Sequence, residues 1–202
     1  MALQDANQSI VTVENFNNKK ALVKSVKHPG IPVLRDIEWW MLSREVRSLK
    51  KLQPVDEIPD FLGFPRPYAF AMQFYDGQTL REAEPENLPP SFFEKLFAAV
   101  KKIHQYDIVH SDLKRKENIM VTPEQNPVLL DFGAAFRRKG KVRLVNNWFY
   151  RQFKQIDLNA VAKYKQRYCE DELTEVEKKY LNDPVFLERL SRFGRRYILF
   201  RE

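Results

Sequence analysis

The middle of the chain reads His110-Ser111-Asp112-Leu113-Lys114, then Asn118, then Asp131-Phe132-Gly133. Asp131 follows Asp112 by nineteen positions, and the two apolar runs between them, at 119–121 and 128–130, predict short strands. A carboxylate, an amide and a second carboxylate in this order can supply a proton acceptor and two oxygen ligands for a divalent cation. The stretch therefore predicts a phosphoryl-transfer site.

Each residue type in this stretch suits one part of that chemistry. Asp112 can accept the proton of a hydroxyl that attacks a phosphoryl group. Asn118 and Asp131 offer the hard oxygen ligands that Mg²⁺ prefers. Lys114, two residues beyond Asp112, can reach the transferring phosphate as a point charge.

His-x-Asp-Leu-Lys, Asn and Asp-Phe-Gly in this order resemble the catalytic segment of the protein-kinase-like superfamily. The resemblance implies ATP and Mg²⁺ as cofactors and a two-lobed α+β fold. It places a β-rich N-lobe with one helix at residues 1–75 and a mainly helical C-lobe at residues 76–202.

Sequence patterns outside the catalytic stretch agree with that fold. Alternation and turn residues predict strands at 10–14 and 19–26, with a polar turn at Asn15–Asn18 and a buried strand at 68–75. Apolar periodicity predicts helices at 37–52 and 91–105. The chain is expected to be helical again from Gln155.

Ala21-Leu22-Val23-Lys24 resembles the Val-Ala-Ile-Lys strand of kinases, so Lys24 is implied to hold the ATP phosphates. Leu22 shares the face of Lys24 and would cover the adenine. Glu45, in the predicted 37–52 helix, is the implied partner of Lys24, and Glu38 is the substitute.

Residues 70–77 resemble the strand that leads into the hinge of a kinase. Met72 would then stand at the back of the adenine pocket. Backbone groups of Gln73 and Tyr75 would read the adenine edge, and Met120 would form the pocket floor.

Several features depart from common protein kinases. No glycine precedes Gly30, so a Gly-rich phosphate loop is absent and the turn at 15–18 is expected in its place. Ser111 stands where many regulated kinases have Arg, which argues against activation by loop phosphorylation. Asn118 lies six positions after Asp112, one more than usual, which together with the short tail resembles small bacterial kinases of the RIO and lipopolysaccharide-core type.

Asp157 could match the helix Asp that braces the catalytic loop, or could be a solvated N-cap.

The composition is that of a packed, basic protein. The chain has 202 residues, 44% of them hydrophobic, and a formal net charge of +7. The single cysteine, the lack of a signal-peptide pattern and the lack of a long apolar run favour a cytoplasmic protein, with peripheral attachment to the inner membrane as an option. Nucleic acid is the least favoured partner because basic and aromatic residues form no RNA-binding motif.

Two basic segments bear on the acceptor. Residues 137–143 hold five basic residues in seven and could bind an acidic or phosphorylated acceptor. In the tail, an aromatic and aliphatic stripe with surrounding arginines could lie on an anionic membrane or pack on the C-lobe: Phe186, Leu190, Phe193, Tyr197, Arg189, Arg192, Arg195 and Arg196.

The sequence favours a kinase that phosphorylates a hydroxyl-bearing acceptor. A protein serine/threonine kinase is the first interpretation, because Lys114 beside Asp112 resembles the Ser/Thr-type catalytic loop. A kinase for a lipid-linked sugar or another small molecule is the alternative. A pseudokinase that binds without turnover is the rival from a different class, and the missing Gly-rich loop favours it.

Overall fold

The computed structural model describes residues 2–3, 9–140 and 143–182. The chain divides into two compact units. The first unit joins the residues up to Ala83 with Lys116–Ala135, and the second joins Glu84–Arg115 with the residues from Phe136 onward. The predicted α+β class is confirmed. The predicted lobe boundary between residues 75 and 76 stays a prediction.

Within the described residues, ten strands and four α-helices follow one another in this order: β1 (Ala2–Leu3), β2 (Ile10–Phe16), β3 (Lys19–Ser25), α1 (Pro32–Leu52), β4 (Phe61–Gly63), β5 (Ala69–Gln73), β6 (Gln78–Thr79), α2 (Pro90–Gln105), β7 (Ile108–Val109), β8 (Ile119–Val121), β9 (Pro127–Leu129), β10 (Phe136–Arg137), α3 (Leu144–Tyr168) and α4 (Glu175–Asn182).

The first unit is built on an antiparallel sheet in the order β1-β2-β3-β5-β4. Alternate residues of β3 and β5 form a buried cluster of small apolar side chains, Ala21, Val23, Ala69 and Ala71. Small side chains let the neighbouring elements approach the sheet closely. This core fixes the register of β3, the strand that carries Lys24.

The turn between β2 and β3 is shorter than the predicted turn at 15–18. Asn15 and Phe16 belong to the strand, and only Asn17 and Asn18 turn the chain, with φ values of 52° and 60°. A two-residue turn with both φ angles positive matches strand twist, and Asn tolerates that conformation. Because β1 precedes β2, this turn joins the second and third strands of the sheet. The expectation that it takes the place of a Gly-rich phosphate loop stays a prediction.

Helix α1 begins five residues earlier than predicted, at Pro32. Proline suits the first helical position because an N–H group there has no acceptor within the helix, so proline loses no hydrogen bond by lacking one. The predicted apolar stripe is buried at Leu42, Val46, Leu49 and Leu52, but Ile37 is 53% exposed. The apolar stripe of α1 is therefore buried in the C-terminal half of the helix, whereas Trp39 in the N-terminal half packs edge-on against Phe64 and Tyr68.

The first unit also contains a small sheet in the order β6-β8-β9. The chain enters it at Gly77, where an added Cβ would lie 2.5 Å from the carbonyl oxygen of Val121. No side chain fits at that distance, so the close approach of the two backbones requires glycine here.

The second unit consists of helices around the short β7–β10 pair. The apolar residues predicted for α2 are buried, including Phe93, Leu96 and Ile103. Helix α3 begins at Leu144, eleven residues before the predicted start at Gln155. None of the helices in the described ranges is long and apolar enough to cross a membrane. The basic and aromatic tail predicted to contact a membrane lies outside the described residues.

Candidate active site

Lys24 and Glu45 form a buried ion pair in the first unit. The Lys24 Nζ atom donates to Glu45 Oε1 at 2.8 Å. Both residues are almost fully buried, with 4% and 2% of their surface exposed. Burial of two charges is costly unless they are paired with good geometry, so the contact holds each side chain in one position.

Burial raises the pKa of the Glu45 carboxyl, while the Lys24 ammonium opposes that rise and Asp131 adds to it. The backbone N–H of Phe132 also donates to this carboxylate. The residue after Asp131 is thereby tied to α1, and the position of α1 is coupled to that of the Asp-Phe-Gly turn.

Glu38, the alternative partner of Lys24, has a different structural role. Its carboxylate accepts from the backbone N–H groups of Lys27 and His28 at 2.8 and 3.1 Å. It also lies 2.6 Å from His28 Nδ1. Glu38 therefore holds the loop after β3 against α1, which leaves Glu45 as the carboxylate that meets Lys24.

Asn118 and Asp131 lie at the same end of the β8–β9 hairpin. The backbone N–H of Leu130 donates to the carbonyl of Asn118 at 2.9 Å, next to the paired residues Ile119 and Leu129. Asp131 adopts a left-handed conformation, with φ 58°, and its carboxylate accepts from the Gly133 N–H at 3.3 Å. The hairpin thus places both predicted metal ligands at one edge.

Asp131 also contacts the Lys24–Glu45 pair, since its Oδ1 atom lies 3.5 Å from Lys24 Nζ. The first unit therefore brings together Lys24, which the sequence predicts to bind the ATP phosphates, and Asp131, which it predicts to bind the metal. No group of three or more His, Cys, Asp or Glu side chains suited to a metal occurs within the described part of the chain. One carboxylate and one amide fit Mg²⁺, which usually takes few protein ligands and completes its shell with phosphate and water.

The residues predicted to contact adenine occupy neighbouring strands of the first unit. Leu22 on β3 is paired in register with Met72 on β5, and Met72 is buried. The Gln73 N–H donates to the Asp60 carbonyl at 2.8 Å, so this N–H is already paired within the first unit. The expectation that backbone groups of Gln73 and Tyr75 read the adenine edge stays a prediction. Tyr75 follows β5, and Met120 lies on β8 opposite Thr79.

The catalytic segment 110–114 lies in the second unit, where α3 holds its backbone. The carboxylate of Asp157 accepts from the N–H groups of His110 and Ser111 at 2.7 and 2.8 Å. Asp157 is fully buried, and His104 Nε2 on α2 lies 3.1 Å from it. These contacts favour the bracing role that the sequence suggested for Asp157 over that of a solvated helix cap.

Ser111 adopts φ 70°, a left-handed conformation that costs a non-glycine residue about 1–3 kcal/mol. The two bonds to Asp157 hold the chain there. Further along the same segment, the Tyr164 hydroxyl lies 3.0 and 2.8 Å from the carbonyl oxygens of Leu113 and Lys114. Tyr164 was missed in the sequence, although it lies seven residues after Asp157 and so on the same helical face.

Asp112 and Lys114 are both accessible to solvent at the end of this braced loop. The Asp112 side chain is 34% exposed, and Arg115 Nη1 lies 3.9 Å from its Oδ2 atom. Lys114 is exposed. A loop with a fixed backbone and accessible side chains is suited to meet an incoming hydroxyl group.

Replacing Asp157 with alanine is expected to lower the free energy of unfolding by about 3 kcal/mol or more, because two buried N–H groups lose a charged acceptor. Chemical denaturation of the full chain measures this change. Asp171→Ala is the matched control, since Asp171 is an exposed residue of the same unit and should change stability by less than about 0.5 kcal/mol. Equal stability of the two variants would show that Asp157 does not brace the loop.

Comparison with known proteins places the chain among kinases. The profile of the protein kinase domain matches residues 9–154. The chain is 30% identical over 119 residues to the carbon catabolite-derepressing protein kinase of Candida tropicalis, which covers 57% of this chain and 18% of that protein. It is 28% identical over 147 residues to the probable serine/threonine-protein kinase fnkB of Dictyostelium discoideum, which covers 66% of this chain and 27% of that protein. The chain thus spans about a fifth to a quarter of the length of these curated relatives.

A solved structure shares the fold. The crystal structure of the Rio2 kinase–ADP/Mg²⁺–phosphoaspartate complex from Chaetomium thermophilum matches with a TM-score of 0.65 and 14% sequence identity. The match covers 92% of this chain and 62% of that one.

Proposed function

Because the chain belongs to the protein kinase domain family, we propose that it is a phosphotransferase that moves the γ-phosphate of ATP to a hydroxyl group. The observation that carries this proposal is the buried contact of Lys24 with Glu45 at 2.8 Å and with Asp131 at 3.5 Å. Two acidic residues hold one buried ammonium in place, and the more exposed of them, Asp131, is 35% accessible at its side chain. An ammonium fixed in this way can bind a phosphate group.

The residues of the chain divide the work of the reaction. Lys24 binds and orients the ATP phosphates, and Glu45 keeps it in position. Asn118 and Asp131 would hold Mg²⁺, which neutralises charge that builds up on the transferring group when it is bound. Asp112 accepts the proton of the acceptor hydroxyl, and Lys114 binds the transferring phosphate.

A serine or threonine of a protein is the acceptor that we propose first. Lys114 beside Asp112 resembles the Ser/Thr-type catalytic loop, and a serine/threonine-protein kinase is among the relatives. The Rio2 kinase of the same fold was crystallised as a complex with ADP and Mg²⁺, which supports the use of nucleotide and magnesium by this chain. A lipid-linked sugar or another small molecule is the alternative acceptor.

The test is incubation of the full chain with labelled ATP and Mg²⁺, with and without cell extract, followed by separation into protein, lipid and small-molecule fractions. Label on serine or threonine of protein supports the first acceptor. Label in lipid or small molecules supports the alternative. ATP binding without label in any fraction would overturn the proposed enzyme and support a pseudokinase.

A double-mutant cycle tests the Lys24–Glu45 pair. Lys24→Met and Glu45→Gln are each expected to slow transfer, and the double variant should be little slower than the slower single variant, because the two residues act as a unit. Lys19→Met, at an exposed lysine of the same strand, is the control and should leave the rate unchanged. Additive losses would mean that the two residues act separately.

A further inference from the structure

The first turns of α3 carry large apolar side chains on the face that is open to solvent. Leu144, Val145 and Trp148 are 82%, 71% and 40% exposed. With the exposed Arg151, they follow the spacing i, i+1, i+4 and i+7, which places them on one side of a helix. We call these four residues the outer face of α3.

The opposite side of the same turns is already packed. Phe153 lies against Phe136 and Phe149, with ring centroids 5.2 and 6.3 Å apart. The Tyr150 hydroxyl donates to the His104 carbonyl at 2.6 Å and the residue is buried. Trp148 lies edge-on against Phe149, with ring centroids 4.9 Å apart, whereas Leu144 and Val145 stay largely exposed among the described residues. Apolar residues on both sides of one helix segment indicate a second contact.

The charge of this region indicates which kind of partner the outer face of α3 binds. Between Asp131 and Asp157 the sequence contains seven Arg and Lys residues and no Asp or Glu. The Arg138 guanidinium donates to Asn147 Oδ1 at 2.8 Å and to Asp107 Oδ1 at 3.4 Å. Arg143 and Arg151 are exposed beside the apolar side chains. A partner must therefore accept aliphatic groups and positive charge together.

We propose that the outer face of α3 binds an anionic membrane surface, with Leu144, Val145 and Trp148 in the headgroup region and the arginines on lipid phosphates or carboxylates. Tryptophan is favoured at this boundary, and a helix with apolar and basic residues on one side can lie in the membrane plane. Nucleic acid or an acidic peptide would satisfy the arginines but offers less to two exposed aliphatic side chains. The proposal is independent of the tail and of phosphotransfer activity.

Sedimentation of the full chain with vesicles tests the proposal. We expect binding to vesicles of phosphatidylcholine with about one third phosphatidylserine, weaker binding to pure phosphatidylcholine, and loss of binding at high salt through screening. Leu144→Ser with Val145→Ser should weaken binding about tenfold or more because their apolar area no longer enters the lipid. Arg143→Glu with Arg151→Glu should weaken it to a similar extent. Tryptophan emission should shift to shorter wavelength on binding, and Trp148→Phe should remove that shift.

A matched control uses the exposed apolar residues of α1. Val33 and Ile37 are 70% and 53% exposed, so Val33→Ser with Ile37→Ser removes similar apolar surface from the first unit. This variant should bind vesicles as the wild type does. The proposal fails if the wild type does not bind anionic vesicles at low salt or if the α3 variants bind unchanged. It also fails if the protein instead binds single-stranded RNA or polyglutamate at equal strength with and without the Leu144 and Val145 changes.

Discussion

Replacement of Asp131 is expected to reduce phosphotransfer about 1,000-fold or more, because metal charge neutralisation contributes several kcal/mol to the transition state. The structure shows why the choice of variant matters. Asp131 has φ 58° and accepts from the Gly133 N–H. Asp131→Ala removes the carboxylate but also strains the backbone. Asp131→Asn tolerates the left-handed conformation and keeps one acceptor oxygen, so it removes the charge with the least change in the fold.

Both Asp131 variants should unfold in the same cooperative transition as the wild type, with the alanine variant less stable by about 1 kcal/mol. The measurement is the initial rate of label transfer from ATP at saturating Mg²⁺. Glu124→Gln, at an exposed residue of the β8–β9 turn, is the control and should transfer at the wild-type rate. If Asp131→Asn retained full activity, the assignment of Asp131 to the metal would be abandoned.

Replacement of Asp112 by asparagine is expected to lower turnover roughly 100-fold or more, the usual range for loss of a general base. The shape of the side chain is kept, so the loop braced by Asp157 and Tyr164 should stay in place. ATP binding should persist, because the predicted phosphate contact is Lys24. Calorimetry of ATP binding and the rate of label transfer measure the two effects separately.

Asp171→Asn is the matched control for this variant, since Asp171 is exposed in the same unit. This variant should change neither ATP binding nor the rate of label transfer. Loss of ATP binding in Asp112→Asn would assign Asp112 a structural role. Unchanged turnover would mean that another group accepts the proton.

Several parts of the fold follow from local patterns. The β2–β3 hairpin and the buried face of α2 were predicted because side chains alternate with period 2 in strands and recur every three to four residues in helices. Such patterns act over a few residues and need no knowledge of distant partners. The ends of elements do not follow from such patterns, since a proline such as Pro32, at the start of α1, can either break a helix or begin one.

Other features depend on residues far apart in the chain. Glu38 and Glu45 are both glutamates of one helix, and sequence spacing alone could not separate them. Glu38 accepts N–H groups of the loop after β3, whereas Glu45 meets Lys24 across 21 positions. The packing of α1 against the sheet selects one carboxylate, because helix rotation decides which side chain faces β3.

The order of Asp112, Asn118 and Asp131 was enough to predict the chemistry of the site and the family of the chain, since the required residue types lie close together in the sequence. Tertiary packing alone supplied the supports around these residues: Asp157 and Tyr164 hold the catalytic segment from about fifty positions away, and the Phe132 N–H ties the Asp-Phe-Gly turn to Glu45. The same packing left Leu144 and Val145 exposed and buried the neighbouring Tyr150. The hydrophobic pattern of the sequence indicates which residues can be buried, but only the arrangement of neighbouring elements determines which of them are covered.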